Sequence, residues 1–261
     1  MPCCHPRPAE MGSCGCVASH RCSDDGLFRL LPLHLMTIHP IAFFKSPLSS
    51  KFGMPRQSGI VSALRGEIVF QPEYRDPSYI RGIEGFDYLW LLWQFSANRH
   101  EAARATVRPP LLGGNRSQGV FATRSPYRPN PIGLSSVRLE SITYEDAEGP
   151  VLHVSGADLI DGTPIFDIKP YVEYADSHVG VRSGFVDEHE WERLEVSFAE
   201  GLSGVLSPED VAVVCDLLSL DPRPHYQDDP ERVYGMPFRQ YDIRFRVSGC
   251  HLTVVEIIPL A

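Results

Sequence analysis

From residue 36 to about residue 174 the chain alternates short apolar runs with turns rich in proline and glycine. β-Branched and aromatic residues dominate at 38–44, 66–70, 88–95, 119–122, 137–144 and 151–157, which predicts six strands. The run from Tyr88 to Phe95 is apolar on both faces, as a central strand is. Helical periodicity is scarce here, and many short strands at this spacing predict a barrel or sandwich. The pattern changes after about residue 175. Ser207 as N-cap, Pro208 at N1 and Asp210 in a capping-box position open a helix over 207–220. Its apolar stripe is Val211, Val214, Cys215 and Leu218. A strand is expected within 191–198, and 240–247 alternates polar and apolar like a strand with one wet face. Residues 252–258 would pair with it as a terminal hairpin around Ser248-Gly249. A boundary within 174–186 separates a mainly β domain, 36–178, from a smaller α+β domain, 179–261.

Residues 1–35 lack any such periodicity, and we read them as a disordered or mis-started extension. Five of the seven cysteines lie there, at Cys3, Cys4, Cys14, Cys16 and Cys22. A disulfide framework would spread its cysteines through the fold. Cys14 and Cys16 are closer than a usual zinc half-site, and no second half-site follows, so no metal is expected. The apolar run 27–36 is broken by Arg29, Pro32 and His34 and is followed by no small-residue cleavage site. No run is long enough to span a bilayer. A cytoplasmic protein without a membrane segment is the expectation.

The net charge of −9 argues against bulk binding of nucleic acid, yet the charge is unevenly placed. Residues 99–138 carry seven arginines and no lysine against Glu101 alone, whereas 139–261 carry 8 basic and 24 acidic side chains. Arginine without lysine suits forked contacts with phosphate or carboxylate; a solvated basic face is the plainer alternative.

No glycine-rich dinucleotide fingerprint, P-loop, zinc-protease helix or nucleophile elbow occurs. A Rossmann methyltransferase is therefore not signalled. Four loops stand out instead. In Gly53-Met54-Pro55-Arg56-Gln57-Ser58-Gly59 the proline stiffens the backbone and displays Arg56 and Gln57, although on composition alone an ordinary loop is the plainer reading. Pro126, Pro129 and Pro131 brace a second loop carrying Arg124, Tyr127, Arg128 and Asn130. Asp158, Asp161 and Asp167 fall within ten residues beside Lys169, either to accept bonds from a ligand or to cap turns and form one ion pair. Asp221-Pro222-Arg223-Pro224-His225-Tyr226 would hold Arg223 and Tyr226 outward for phosphate and base contacts.

These loops, with Thr106-Val107-Arg108-Pro109-Pro110, Arg128-Pro129-Asn130-Pro131 and Asp167-Ile168-Lys169-Pro170-Tyr171, resemble the TrmO family (older names TsaA and YaeB) over about residues 37–258. The family comprises S-adenosylmethionine-dependent methyltransferases of N6-threonylcarbamoyladenosine in tRNA. The resemblance implies a small, non-Rossmann β-barrel methyltransferase domain and a C-terminal domain that helps engage the tRNA anticodon arm. It also implies a homodimer with the methyl donor near the interface. Carried onto this chain, the donor pocket would involve Pro55, Arg56, Gln57, Arg124, Leu134, Asp158, Leu159, Ile160 and Asp161. Substrate contacts would come from Tyr127, Arg128, Arg223 and Tyr226. Ser96-Ala97 departs from the family pattern, which has a polar pair ending in Gln there. The residues leave the proton acceptor open between Asp161 and Asp167. A methyltransferase for another acceptor, or a non-catalytic RNA- or ligand-binding barrel, would be the alternatives.

Overall fold

The computed structural model describes residues 37–98, 103–112, 116–188, 192–223 and 229–260. The expectations for 1–35, and that for Tyr226, lie outside these residues. Six strands close on themselves: Ala42–Lys45 (β1), Arg65–Phe70 (β2), Tyr88–Gln94 (β3), Ile132–Glu145 (β6), Gly149–Ser155 (β7) and Thr163–Pro170 (β8). Their order around the barrel is β1-β2-β7-β6-β3-β8, and every pair is antiparallel. Two short strands, Thr106–Val107 (β4) and Gln118–Gly119 (β5), pair outside the barrel.

Alternation explains the core. On β3, Leu89, Leu91 and Trp93 face inward and meet Phe44, Ile68, Val137, Leu152, Val154 and Ile165. Each such side chain contributes roughly 1.5–3 kcal/mol by leaving water. Closure removes the sheet's open edges.

Three departures from the expected strands have local causes. β6 begins five residues earlier than the apolar content suggested, because small Gly133 and Ser135 occupy inward positions there. Over 119–122 only β5 pairs; Val120–Ala122 turns as a 3-10 helix with Val120 buried as its anchor. β8 was hidden by Pro164, Asp167, Lys169 and Pro170, residues poor in strand propensity, yet it closes the barrel between β1 and β3.

A one-turn helix, Glu173–Asp176 (α1), leads to the C-terminal region. There Glu195–Phe198 (β9), Pro208–Ser219 (α2), Tyr234–Phe238 (β10), Tyr241–Ser248 (β11) and His251–Pro259 (β12) form a four-stranded sheet, order β10-β11-β12-β9, beside one helix. The Ser207 side chain accepts from the Asp210 N–H, as the capping pattern requires. The buried face of α2 is Val213, Val214, Leu217 and Leu218, shifted from the expected stripe; Val211 and Cys215 are only half-buried. β11 and β12 form the anticipated hairpin. β10 was not anticipated. Gly235 and Pro237 mask it, and it lies on a sheet edge, where proline costs no ladder bond.

Ile38–Ala261 holds together as one unit with two apolar cores. The connection between β1 and β2 explains how. Leu48, Val61 and Leu64 leave the barrel to enter the C-terminal core, and Phe52 stacks on Tyr234 with ring centroids 6.3 Å apart. Gly53 has φ +86°, and a Cβ there would stand 2.2 Å from Met236 Sδ. Only glycine lets this loop press on β10. The same loop carries Arg56 and Gln57.

Candidate active site

Five segments meet at one end of the barrel around a cleft of about 400 Å³. Pro55, Arg56 and Gln57 enter from the β1–β2 connection, Arg124 and Arg128 from the proline-braced loop, Leu134 from β6, and Asp158 and Ile160 from the turn after β7. The end of β3 supplies Trp93 and continues through Phe95, Ser96 and Ala97.

Hydrogen bonds explain the stiffness of this rim. Gly59 N–H donates to Gly156 O at 2.8 Å, and Ser136 N–H donates to Ser58 Oγ at 3.2 Å, which pins the connection against the barrel. Arg124 Nη1 donates to Gln57 Oε1 at 2.5 Å and joins two of the loops. Arg128 reaches the cleft but also donates to the carbonyls of Thr123 and Ser125, each at 3.1 Å. It therefore clamps its own loop.

The carboxylates divide clearly. Asp161 sits exposed in the turn and accepts from Ser46 N–H at 3.0 Å. Asp167 pairs with Lys169 at 2.7 Å on β8. Neither lines the cleft, so the two residues left open as proton acceptors are engaged in turn capping and an ion pair. Asp158 does line it, largely buried. Its carboxylate accepts a short hydrogen bond from Ser135 Oγ, which in turn accepts from Trp93 Nε1 at 2.9 Å. Burial pushes the Asp158 carboxyl above its usual range, opposed by the bonds from Ser135 and Ser58 and by the charge of Arg124. Gly133 makes room for this chain of groups. It lies opposite Trp93 in the β3–β6 register, and a Cβ there would stand 2.3 Å from the indole.

The motif after α2 reaches the same region. Burial lowers the pKa of the Arg56 guanidinium, and the negative charge of Asp221 opposes that shift. Asp221, at φ +48°, also holds Arg223 in a two-pronged ion pair, both contacts at 2.9 Å. Only 11% of the Arg223 side chain is exposed, so it is folded onto Asp221 rather than displayed outward. Leu159 is core, and the Tyr127 ring lies under the Arg104 guanidinium at 4.9 Å. Trp93 and Ser135 were missed as site residues, whereas Ser96 and Ala97 were left out because they depart from the family pattern. Ser135 and Trp93 had no signal, because a serine and a tryptophan 42 residues apart carry no spacing to read.

The model of the tRNA-methyltransferase O N-terminal domain matches residues 43–177, and the TrmO C-terminal domain model matches 192–260. The chain belongs to the TrmO family. An Escherichia coli K12 relative, tRNA (adenine(37)-N6)-methyltransferase, is 36% identical over 227 residues, covering 84% of this chain and 96% of the relative. A Pseudomonas aeruginosa protein, provisionally named S-adenosylmethionine-dependent methyltransferase RcsF, is 38% identical, covering 80% of this chain and 91% of that one. A crystal structure of TrmO from P. aeruginosa superposes with a TM-score of 0.69 at 31% identity, over 88% of this chain and 99% of the other. Among the described residues no helix is long and apolar enough to cross a membrane, and no group of three His, Cys, Asp or Glu side chains is placed to hold a metal. In this TrmO-family barrel Ser96 and Ala97 line the cleft, so the departure noted in the sequence falls inside the site.

Proposed function

We propose that the chain binds S-adenosylmethionine in the cleft and methylates N6 of threonylcarbamoyladenosine at tRNA position 37. The observation that carries this reading is the convergence of the Arg56-Gln57, Arg124 and Asp158 segments on one cleft. Its volume, about 400 Å³, falls within the roughly 300–1,000 Å³ of small-molecule sites. The donor set fits the methyl donor: Asp158 suits a cationic centre, Arg56 and Arg124 suit a carboxylate, and Ile132 and Leu134 offer apolar surface to a base. When bound, the donor supplies an electrophilic methyl group on a positively charged sulfur.

Pro55, Arg56, Gln57, Arg124, Leu134 and Asp158 would hold it, with Leu159, Ile160 and Asp161 contributing backbone. Tyr127, Arg128, Arg223 and Tyr226 would act toward the RNA, with 179–261 assisting. Arg56 and Arg124 orient the donor, and the braced loop restricts the approach of the extruded base. Such positioning matters because N6 of a threonylcarbamoyl adenosine is conjugated to a carbonyl and to the purine, and is a poor nucleophile. Two exposed apolar side chains at the rim, Ile132 (37%) and Leu134 (51%), support a homodimer in which a second copy covers the cleft. A cytoplasmic location goes with this reading.

The deciding experiment is transfer of labelled methyl by the purified full chain to anticodon arms with and without the threonylcarbamoyl group. Label only in the modified arm is expected. Equal labelling of both would move the acceptor to adenosine itself, and donor binding without transfer would favour a binding protein.

A further inference from the structure

We propose that Asp158 accepts the proton that N6 loses, and that Ser135 and Trp93 are positioning residues that aim its carboxylate. The proposal deepens the methyltransferase reading and rests on it.

Methylation of N6 cannot end at attack. The nitrogen lone pair forms the new N–CH3 bond, the methyl–sulfur bonding pair stays on sulfur, and the nitrogen must shed its one hydrogen as a proton while keeping that bonding pair. A basic side chain at the cleft, placed to receive that proton in the transition state, would speed its loss over transfer to water alone. The charged side chains lining the cleft among the described residues are Lys51 and Arg56 from the β1–β2 connection, Arg124 and Arg128 from the braced loop, and Asp158 from the turn after β7. An arginine or lysine cation has no lone pair with which to accept a proton. Asp158 is the one member of this set able to take a proton.

The surroundings suit the role. Ser135 is fully buried and Trp93 nearly so. The indole N–H of Trp93 can only donate, and it donates to Ser135 Oγ. The single hydroxyl hydrogen of Ser135 is thereby left for Asp158 Oδ1, which fixes the orientation of a carboxylate that lines the cleft. Burial raises the basicity of the carboxylate, and the bonds from Ser135 and Ser58 and the charge of Arg124 limit the rise. A base is most effective when its pKa approaches the working pH. The carboxylates at Asp161 and Asp167 have neither this position nor this environment.

The test uses the full chain in three measurements: donor affinity by calorimetry, single-turnover transfer against pH at saturating donor and RNA, and the carboxyl ¹³C titration of Asp158. Asp158→Asn is expected to slow transfer by roughly 10²–10⁴-fold at saturating donor, beyond any loss of donor affinity, and to lose the acid limb of the rate profile. Ser135→Ala removes a bond that holds the carboxyl pKa down. Its acid limb and its ¹³C midpoint should both move to higher pH, kcat should fall with little change in KM, and Ser135→Thr should restore both. Asp158→Asn that regains the parental rate once donor is saturating would leave Asp158 a donor contact alone and overturn the proposal. An unchanged acid limb in either variant would do the same. Should the parent itself transfer no methyl to threonylcarbamoylated RNA, the functional reading fails first and the proposal falls with it.

Discussion

Arg124 joins two loops and shares the cleft with Asp158, yet its side chain is exposed. Arg124→Ala is therefore expected to lose methyl transfer while keeping the parental melting temperature within a degree or two. An active variant would remove the assignment. Asp158 gives a prediction of opposite sign for stability. A carboxyl whose pKa is raised by folding keeps its proton after the unfolded chain has released its own. Stability therefore falls as pH rises from the ordinary carboxylate value of about 3.9 through the raised one, and stays lower above it. The amide of Asp158→Asn escapes that cost. Its Tm should equal or exceed the parent's at neutral pH, and the gap should narrow on acidification; thermal melts across that range read it directly. A lower Tm near pH 7 would mean that the hydrogen bonds of the carboxylate outweigh its desolvation. At this scale the resemblance of the motifs pointed to Pro55, Arg56, Gln57 and Arg124, and all four line the cleft. It was silent on Ser135, a small residue inside a strand.

Helix α2 was legible because its signals are local: cap, proline and acid sit within four residues. Ser207→Ala removes the bond from Asp210 N–H and should cost about 1 kcal/mol in urea unfolding. A loss below a few tenths would show that Pro208 and tertiary packing hold the first turn unaided. Strands were harder to read. β3 and β2 carry dense apolar runs and were found within a residue of their bounds, whereas β8 and β10 contain proline and polar residues and gain their partners from elsewhere in the chain. Pairing with β1 and β3 decides β8, and that information is spread over 128 residues.

Across the molecule the β1–β2 connection is the link between cores. Its far side packs Leu48, Phe52, Val61 and Leu64 among β10, β11 and α2, while its near side carries Arg56 and Gln57 to the cleft. A chain ending at residue 178 would expose that apolar surface and unsupport the loop. We expect such a fragment to aggregate or to bind donor at least tenfold more weakly than the full chain, as read by calorimetry and sedimentation. A soluble fragment with parental donor affinity would show that the barrel alone sets the loop. Arg56 and Asp221 make the same connection electrostatically, which places the motif after α2 beside the first loop although 165 residues separate them.

By itself the sequence determined which segments are strands by apolar run, where helix α2 starts, and which loops are braced by proline. These are local properties, written in propensity and turn chemistry. Only the tertiary structure decided that β8 closes the barrel, that Asp158 rather than Asp161 or Asp167 reaches the cleft, and that Arg223 folds inward. Those outcomes depend on barrel closure and on which polar groups are taken out of water together, and both are set by contacts between residues far apart in the chain.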